Sequence, residues 1–223
     1  MKKTFVPYVG LLFLLIPFSV LAAFNLEARS DIERWSSGIG NQATGLWGGM
    51  AIGYSHNRYF ASAGLSQSLD DYRVSGEPSV SMTRRDIDFS LGQQISPSFS
   101  LFAGYREFRI DYRNSKDTSR SFADNIKGLG GGIGFGKTLW PKASTFVSVS
   151  GSVVRSQLSY LSSEPVISGY GFSWGGELGI VYRFNRKIRG VASSKFQSMS
   201  IDYSGSIWNN NYTRAGFRLS YTF

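Results

Sequence analysis

His56 is the residue on which most hydrolytic or metal chemistry in this chain would depend, because it is the single histidine and the chain has no cysteine. Histidine-assisted nucleophilic hydrolysis and multi-histidine metal sites both require an imidazole in the reacting centre. His56 and Asn57 form a short polar link between two segments of alternating apolar residues, which predicts a solvated turn. We therefore predict no catalytic, metal-binding or cofactor-binding residues and no enzymatic activity.

A glycine-rich segment, Gly131–Thr138, formally matches the phosphate-binding pattern of Gly, four variable residues and Gly-Lys-Thr. That loop has to join a strand to a helix, so that phosphate lies at the helix N-terminus. Here Trp140 and Pro141 follow almost at once, and the next segment alternates as a strand does. Glycines at every second position of a strand explain the match, and we predict no nucleotide site.

Ion pairing is the remaining chemistry that the residue spacing supports. Acidic and basic side chains recur at alternate positions in four segments that lie far apart in the chain. A closed sheet would bring them together. The residues concerned are Glu27, Asp31, Glu33, Asp86, Asp88, Arg106, Arg214 and Arg218.

The elements that would position these charges are β-strands. In the last ten residues, Arg214–Phe223, apolar and polar residues alternate strictly, which predicts a strand with one apolar and one polar face. The same alternation runs through residues 170–184, longer than the ~9–11 residues that a strand needs to cross a bilayer. After residue 23 no apolar run approaches the ~20 residues of a membrane-spanning helix. The chain is therefore predicted to be all-β.

Short and long polar links alternate between these strands. The short links are at residues 56–57, 96–98, 138–142 and 185–186, and the long ones are 70–83, 113–124, 160–168 and 202–210. Nine strands are clear, and the alternating segment Phe24–Glu33 supplies a tenth. The prediction is a closed antiparallel up-and-down transmembrane barrel of ten strands. Two alternatives stay open, an amphipathic helix over Phe24–Trp35 and a barrel of eight strands.

Residues 1–23 have the three zones of a secretory signal peptide, with Lys2 and Lys3, an apolar stretch, and Ala22 and Ala23 at the end. Export of the chain is the consequence. Residues 24–223 are then a single barrel domain.

The terminal strand resembles the C-terminal signature of bacterial outer-membrane barrels, which their assembly machinery reads. It has an aromatic residue or Leu at every second position, namely Phe217, Leu219, Tyr221 and Phe223. The whole chain resembles the small outer-membrane β-barrel proteins, a broad group that includes OmpA-type and opacity-type barrels. The resemblance implies a location in the bacterial outer membrane, contact with lipid and lipopolysaccharide, delivery by periplasmic chaperones to the barrel-assembly machinery, and a monomer.

Barrel closure sets the acidic residues of the first strand against Arg214 and Arg218, and Asp86 and Asp88 beside the strand of Arg106. Since buried charges must be paired, we expect an ion-paired and largely blocked lumen on that side. The opposite wall carries only small residues. They are Gly128, Gly130, Gly132, Gly134, Ser148, Ser150, Ser152, Gly171, Ser173 and Gly175.

Aromatic residues near the outer strand ends are expected to form a girdle at the membrane interface. They are Trp35, Trp47, Tyr72, Tyr160, Tyr170, Tyr203, Trp208 and Tyr212, while the inner girdle would contain Phe99, Trp140, Phe184 and Phe223.

The chain is basic, with a formal net charge of +9. Basic residues in the outer links could contact lipopolysaccharide phosphates. They are Arg73, Arg84, Arg113, Lys116 and Arg120. The basic residues form no continuous run with interleaved aromatics, so we expect no nucleic-acid partner.

Three functions remain open at this stage. The first is a structural or surface-interaction barrel with a blocked lumen, and the second is a narrow pore for small solutes, favoured by the Gly and Ser wall. The third is an outer-surface enzyme acting on lipid or peptide, which would need a mechanism without histidine.

Overall fold

The computed structural model describes residues 23–38, 41–75, 77, 79–160 and 166–223. The predicted signal peptide, residues 1–23, lies outside the described residues except for Ala23, which begins the first strand. Among the described residues, no helix has the length and apolar character needed to cross a lipid bilayer.

Eleven strands and one 3₁₀ turn make up the described chain, and alternating residues of small size or high β propensity account for their length. The strands are β1 (Ala23–Ser37), β2 (Gln42–His56), β3 (Tyr59–Ser68), β4 (Tyr72–Val74), β5 (Val80–Ser96), β6 (Phe99–Asn114), β7 (Phe122–Trp140), β8 (Ala143–Tyr160), β9 (Ile167–Arg183), β10 (Ile188–Tyr203) and β11 (Ser206–Thr222). The 3₁₀ turn spans Thr118–Arg120 between β6 and β7.

Ten of these strands form a closed antiparallel barrel. Neighbours follow the chain order, and β1 closes the barrel by pairing with β11, from Asn25 opposite Thr222 to Ser37 opposite Asn210. The eleventh, β4, is a short extra strand that bridges β2 and β5 above the end of β3. The ten-stranded barrel is confirmed, and the alternative of an amphipathic helix over Phe24–Trp35 is wrong because that segment pairs with both β2 and β11.

The two ends of the barrel differ in their connections. One end, here called the turn end, has the short links predicted at residues 56–57, 96–98, 138–142 and 185–186, together with the start of β1 and the end of β11. The other, the loop end, has the longer links, and in outer-membrane barrels longer loops face outward and short turns face the periplasm.

Strands extend further into the loop end than predicted, so the links there are shorter. The expected loop 202–210 is a tight hairpin turn, in which Ser204 and Gly205 have φ of 55° and 95°. The expected loop 70–83 contains β4. Part of the expected loop 160–168, at residues 161–165, lies outside the described residues.

A belt of large apolar side chains covers the outside of the barrel. Val153 is 68% exposed, Met50 65%, Leu129 64% and Leu178 59%. Monomeric soluble proteins rarely expose apolar surface on this scale, whereas lipid solvates it. The belt is the surface that faces the membrane.

The strands continue past this belt at the loop end. Beyond Ile87 and Leu129 the outward-facing residues become charged, as in the pair of Lys127 Nζ and Glu107 Oε1 at 3.5 Å and in the pair of Arg109 and Asp111. The loop-end third of the barrel therefore projects from the membrane into water.

The predicted outer aromatic girdle is largely wrong. Tyr170 faces outward and is 63% exposed, but five of the other residues point into the lumen and are buried. These are Trp35, Trp47, Tyr72, Tyr203 and Tyr212. Like the predicted lumen charges, they lie on the inward faces of their strands. Because the strands extend beyond the membrane at this end, these residues lie outside the lipid and form part of an internal core.

Candidate functional site

A layer of charged side chains crosses the lumen near the outer edge of the apolar belt. We call it the ionic layer, and its members are Glu33, Arg84, Asp86, Arg106 and Arg214. Arg84 Nε donates to Asp86 Oδ1 at 2.7 Å and Arg84 Nη2 donates to Asp86 Oδ2 at 3.0 Å. Glu33 and Asp86 are fully buried and Arg84 is 1% exposed. The layer leaves no gap around these groups.

Two carboxylates hold three guanidiniums in this layer. Arg106 and Arg214 both donate to Asp86 Oδ2, the latter at 3.3 Å, and Arg214 Nε also donates to Glu33. Glu33 accepts from Arg84 at 3.4 Å as well. Asp86 is the carboxylate that all three cations share, so its loss would leave a single carboxylate, that of Glu33, for three cations.

Aromatic faces complete the solvation of these cations. Arg214 Cζ lies 4.0 Å from the ring centre of Trp47. Arg84 Cζ lies 4.2 Å from the ring centre of Tyr212 and 4.5 Å from that of Phe108. A cation over an aromatic face is attracted by the ring quadrupole, more strongly when water is excluded. This offsets the surplus of positive charge.

Arg84 was expected in an outer loop, in contact with lipopolysaccharide, and that expectation is wrong. It faces inward on β5, two residues before Asp86, because β5 begins at Val80, within the predicted loop 70–83. The other four basic residues expected there, Arg73, Arg113, Lys116 and Arg120, are exposed at the loop end. The sequence signal that identifies Arg84 is its alternation with Asp86 and Asp88.

The other residues predicted for the lumen form a looser second level, nearer the turn end. Arg218 Nη2 donates to Glu177, and Arg218 Nη1 lies 3.9 Å from Glu27. Asp88 lies opposite Arg106 in the register of β5 and β6, as expected, and 3.9 Å from Arg29. Asp31 packs over Gly216. Arg29 and Glu177 were not predicted as members, although both share the inward face of their strands.

Beyond the ionic layer, the loop-end third of the lumen is filled by an apolar core. Val154 and Met199 belong to it, and Met82, Ile126 and Ile201 are fully buried or nearly so. Aromatic residues pack with them, for instance Phe108 against Tyr212 with ring centres 6.4 Å apart. The apolar core and the ionic layer together occupy the outer half of the lumen.

One polar cluster lies inside this apolar core. Asp124 Oδ2 accepts from the Tyr203 hydroxyl at 3.0 Å, and Ser156 Oγ donates to Asp124 Oδ1. Ser156 is fully buried and Asp124 is 5% exposed. The two hydroxyls provide the hydrogen bonds that this carboxyl needs at a dry position.

The inner half of the lumen is open. A cavity of about 690 Å³, here called the inner cavity, lies below the ionic layer and reaches the turn end. One wall carries small residues, among them Gly128, Gly130, Ser150, Ser152 and Ser173. The facing wall carries charges. They are Glu27, Arg29, Asp88, Arg106, Glu177, Arg189, Lys195 and Arg218.

A second cavity, of about 620 Å³, opens at the loop end, and we call it the outer cleft. Trp35, Tyr112, Phe122 and Trp208 contribute aromatic rings to it, and Tyr112 stacks on Phe122 at 4.3 Å between ring centres. Exposed polar residues at its rim include Glu77, Arg113, Arg120 and Asn209.

His56 and the glycine-rich segment Gly131–Thr138 lie away from both the outer cleft and the ionic layer. His56 ends β2 at the turn end, where its Nε2 lies 3.1 Å from Asn57 Nδ2. Gly131–Thr138 lies wholly inside strand β7. No helix follows it there, so the segment lacks the geometry of a phosphate-binding loop.

Comparison with solved structures identifies the architecture. The outer membrane protease OmpT from Escherichia coli aligns over 91% of this chain and 96% of its own, with a TM-score of 0.65 and 12% identity. Neisserial surface protein A aligns over 90% and 99%, with a TM-score of 0.51 and 14% identity. The translocator domain of the autotransporter NalP from Neisseria meningitidis aligns over 96% and 93%, with a TM-score of 0.51 and 12% identity.

Neither a protein-family model nor a curated protein sequence matches the chain. The likeness is therefore one of fold, and at that level the expected resemblance to small outer-membrane barrels is confirmed. A closed barrel of this fold with an apolar belt belongs in the bacterial outer membrane.

Proposed function

We propose that this outer-membrane barrel does not conduct solutes and acts through its loop end as a surface-interaction or structural protein. The observation that carries this proposal is the filled outer half of the lumen. Glu33, Asp86 and Trp47 are fully buried there. A solute crossing the barrel would have to displace paired charges and packed rings together.

The working surface on this proposal is the loop end. The barrel projects beyond the membrane there and presents the outer cleft, with Arg113 and Arg120 at its rim. Arg73 and Lys116 are exposed at the same end. These cations support contact with lipopolysaccharide phosphates, and the aromatic floor of the outer cleft supports an apolar contact with a partner.

Two alternatives are weaker. A narrow pore is favoured by the inner cavity, but that cavity is covered by the ionic layer. An enzyme of the outer surface would have to act without histidine, because the single histidine lies at the turn end. The protease activity of one structural neighbour belongs to that protein and gives no residue here to carry it. We therefore also propose that the chain is not an enzyme.

Planar-bilayer conductance tests the blocked lumen. The wild type is expected to give no stepwise conductance. The double variant Trp47→Ala/Tyr72→Ala removes two buried rings beside the ionic layer and is expected to produce discrete steps. The control is Trp140→Ala, which removes an exposed ring from the outside of the barrel. Steps of equal size from the wild type would contradict the proposal.

Single-cysteine labelling in intact cells tests the orientation, and the lack of native cysteine makes it clean. Ser119→Cys and Asn209→Cys at the loop end should react with a membrane-impermeant maleimide. Asn57→Cys at the turn end should react only after the outer membrane is opened. The reverse pattern would place the outer cleft in the periplasm.

The end of β11 and the residue that follows it carry the four residues predicted as an assembly signal. Phe217, Leu219, Tyr221 and Phe223 are 49%, 47%, 39% and 74% exposed. We propose that the barrel-assembly machinery recognises them after periplasmic chaperones deliver the chain, and that the folded protein is a monomer. Replacing Phe223 with Ser should lower the amount of folded barrel in the outer membrane. The assembly proposal fails if the Phe223→Ser level equals the wild-type level.

A further inference from the structure

The inner cavity has the features of a ligand site, and its function would lie beyond the surface role proposed above. We propose that it binds a small, hydroxyl-rich anion from the periplasm, of the class of phosphorylated or carboxylated sugars. Its volume of about 690 Å³ falls within the ~300–1,000 Å³ typical of small-molecule sites.

Positive charge exceeds negative charge on the cavity lining. Arg29, Arg106, Arg189, Lys195 and Arg218 face three carboxylates, those of Glu27, Asp88 and Glu177. Arg29 and Arg218 are paired in part with these carboxylates, and Arg106 is paired with Asp86 of the ionic layer. Within the described part of the chain, Lys195 and Arg189 form no ion pair within 4.0 Å.

Basic side chains border the same cavity. Arg29, Arg106 and Arg218 line it, and because their Nε–H groups are inaccessible to solvent, a ligand would meet the outer guanidinium nitrogens. Lys195 is half-buried on the inward face of β10. A phosphate or carboxylate group supplies several acceptor atoms for such cations together with the missing negative charge.

The opposite wall suits the body of such a ligand. Ser150, Ser152 and Ser173 line it with side chains that both donate and accept hydrogen bonds. Glycines between them keep the space open. A Cβ on Gly130 would overlap the backbone of Gly151, so position 130 itself has no room for a side chain. Hydroxyl groups of a sugar could face the serines while its anionic group faces Lys195.

With the outer half of the lumen closed, as proposed above, a ligand reaches the inner cavity from the turn end. Ala23, Asn25, Ser55 and Thr222 line its mouth, and Arg189 is exposed there. An anion arriving from the periplasm meets this cation first, which favours its capture.

Isothermal titration calorimetry on the purified full barrel in an uncharged detergent tests the proposal. The anionic probes are glucose 6-phosphate and gluconate, and glucose is the neutral probe. At least one anionic probe should bind saturably and at least about tenfold more tightly than glucose, because one unpaired, partly desolvated charge gains a partner. The anion that binds more tightly identifies the preferred head group.

Two variants locate the site. Lys195→Gln should weaken anion binding about tenfold or more. This change breaks no ion pair within 4.0 Å, so the variant should fold as the wild type does. Ser150→Tyr should abolish binding by filling the cavity. Arg113→Gln, at the loop end, is the control and should bind as the wild type does.

The proposal is overturned if neither anion binds saturably, if glucose binds as tightly as both, or if Lys195→Gln and the control lose affinity equally. These outcomes leave the conductance result untouched. A non-conducting barrel that binds no anion would retain the proposed function and lose only this inference.

Discussion

The outer and inner halves of the lumen are built from the same ten strands and have opposite interiors. In the outer half, paired charges and aromatic rings pack closely, and Glu33, Asp86 and Trp47 are fully buried. In the inner half, glycines and serines leave a cavity of about 690 Å³, and Arg29 on its wall lies 4.0 Å from Glu27 and 3.9 Å from Asp88. The backbone of the barrel is the same in both halves. Whether the lumen is filled therefore depends on the inward-facing side chains.

The difference follows the position of the membrane. The inner half lies behind the apolar belt, where lipid covers the outside of the barrel and stabilises the closed sheet. The outer half projects into water, as the exposed Lys127 and Arg109 show. A projecting barrel has no lipid around it and needs an internal core, as a soluble domain does. The apolar core supplies it.

The largest expected difference between the two halves is in the stability lost by the variants Asp86→Ala and Asp88→Ala. Both residues face the lumen on β5, two positions apart. Loss of Asp86 leaves three guanidiniums without their shared partner and should cost about 3–5 kcal/mol of unfolding free energy. Loss of Asp88, whose side chain is 32% exposed, should cost less than about 1 kcal/mol. Urea unfolding in lipid vesicles measures both, and equal losses would mean that the halves are packed alike.

Ser156→Ala against Ser173→Ala makes the same comparison with hydroxyl groups. Ser156 donates to Asp124 in the apolar core, so its removal should cost about 1.5–3 kcal/mol. Ser173 is 3% exposed and accepts from Gln197 Nε2 at 3.0 Å, but the half-buried Gln197 borders the inner cavity, where water can replace the serine as its acceptor. Its removal should cost less than about 1 kcal/mol. If Ser173→Ala lost more unfolding free energy than Ser156→Ala in the same assay, the outer half would not be the drier of the two.

Gly45→Ala against Gly136→Ala tests the space available in each half. A Cβ on Gly45 would overlap the ring of Tyr72, whereas one on Gly136 would lie at 3.6 Å from Thr145 O, an ordinary contact. Overpacking should cost Gly45→Ala about 1–3 kcal/mol, while Gly136→Ala should be neutral or stabilise by up to about 1 kcal/mol. The temperature at which the folded band disappears on a gel should fall for the first variant only.

Much of this organisation could be predicted from alternation alone. It gave the ten strands and placed Glu33, Asp86, Arg106 and Arg214 on inward faces, where the structure brings them together. The apolar core is harder to predict, because aromatic residues near strand ends are also typical of a membrane girdle. The alternation that turns Glu33 inward turns Trp35 inward as well, and it continues past the membrane edge.

Other features could not be read from the sequence. The barrel's tilt and closure decide which inward residues meet, so Asp88, which lies opposite Arg106 on the next strand, also comes within 3.9 Å of Arg29 on β1. The cation–aromatic contacts of Arg84 depend on three strands at once. The inner cavity arises from the sum of many small side chains, which no single motif reports.

Arg109→Gln is expected to have the smallest effect of these changes. The pair of Arg109 and Asp111 has good geometry at 2.8 Å, but the arginine side chain is 51% exposed on the outside of the projecting barrel. An exposed pair contributes about 0–1 kcal/mol, and high salt should reduce even this. A loss as large as that of Asp86→Ala would show that stability lies outside the lumen.

Thiol accessibility inside the lumen tests the division into two halves most directly. Ser66→Cys places a thiol beside the ionic layer, where the native side chain is 1% exposed, and Ser152→Cys places one on the wall of the inner cavity. With a small charged methanethiosulfonate reagent in detergent, Ser152→Cys should react within minutes and Ser66→Cys only after unfolding. Equal reaction of the two folded variants would contradict a closed outer half.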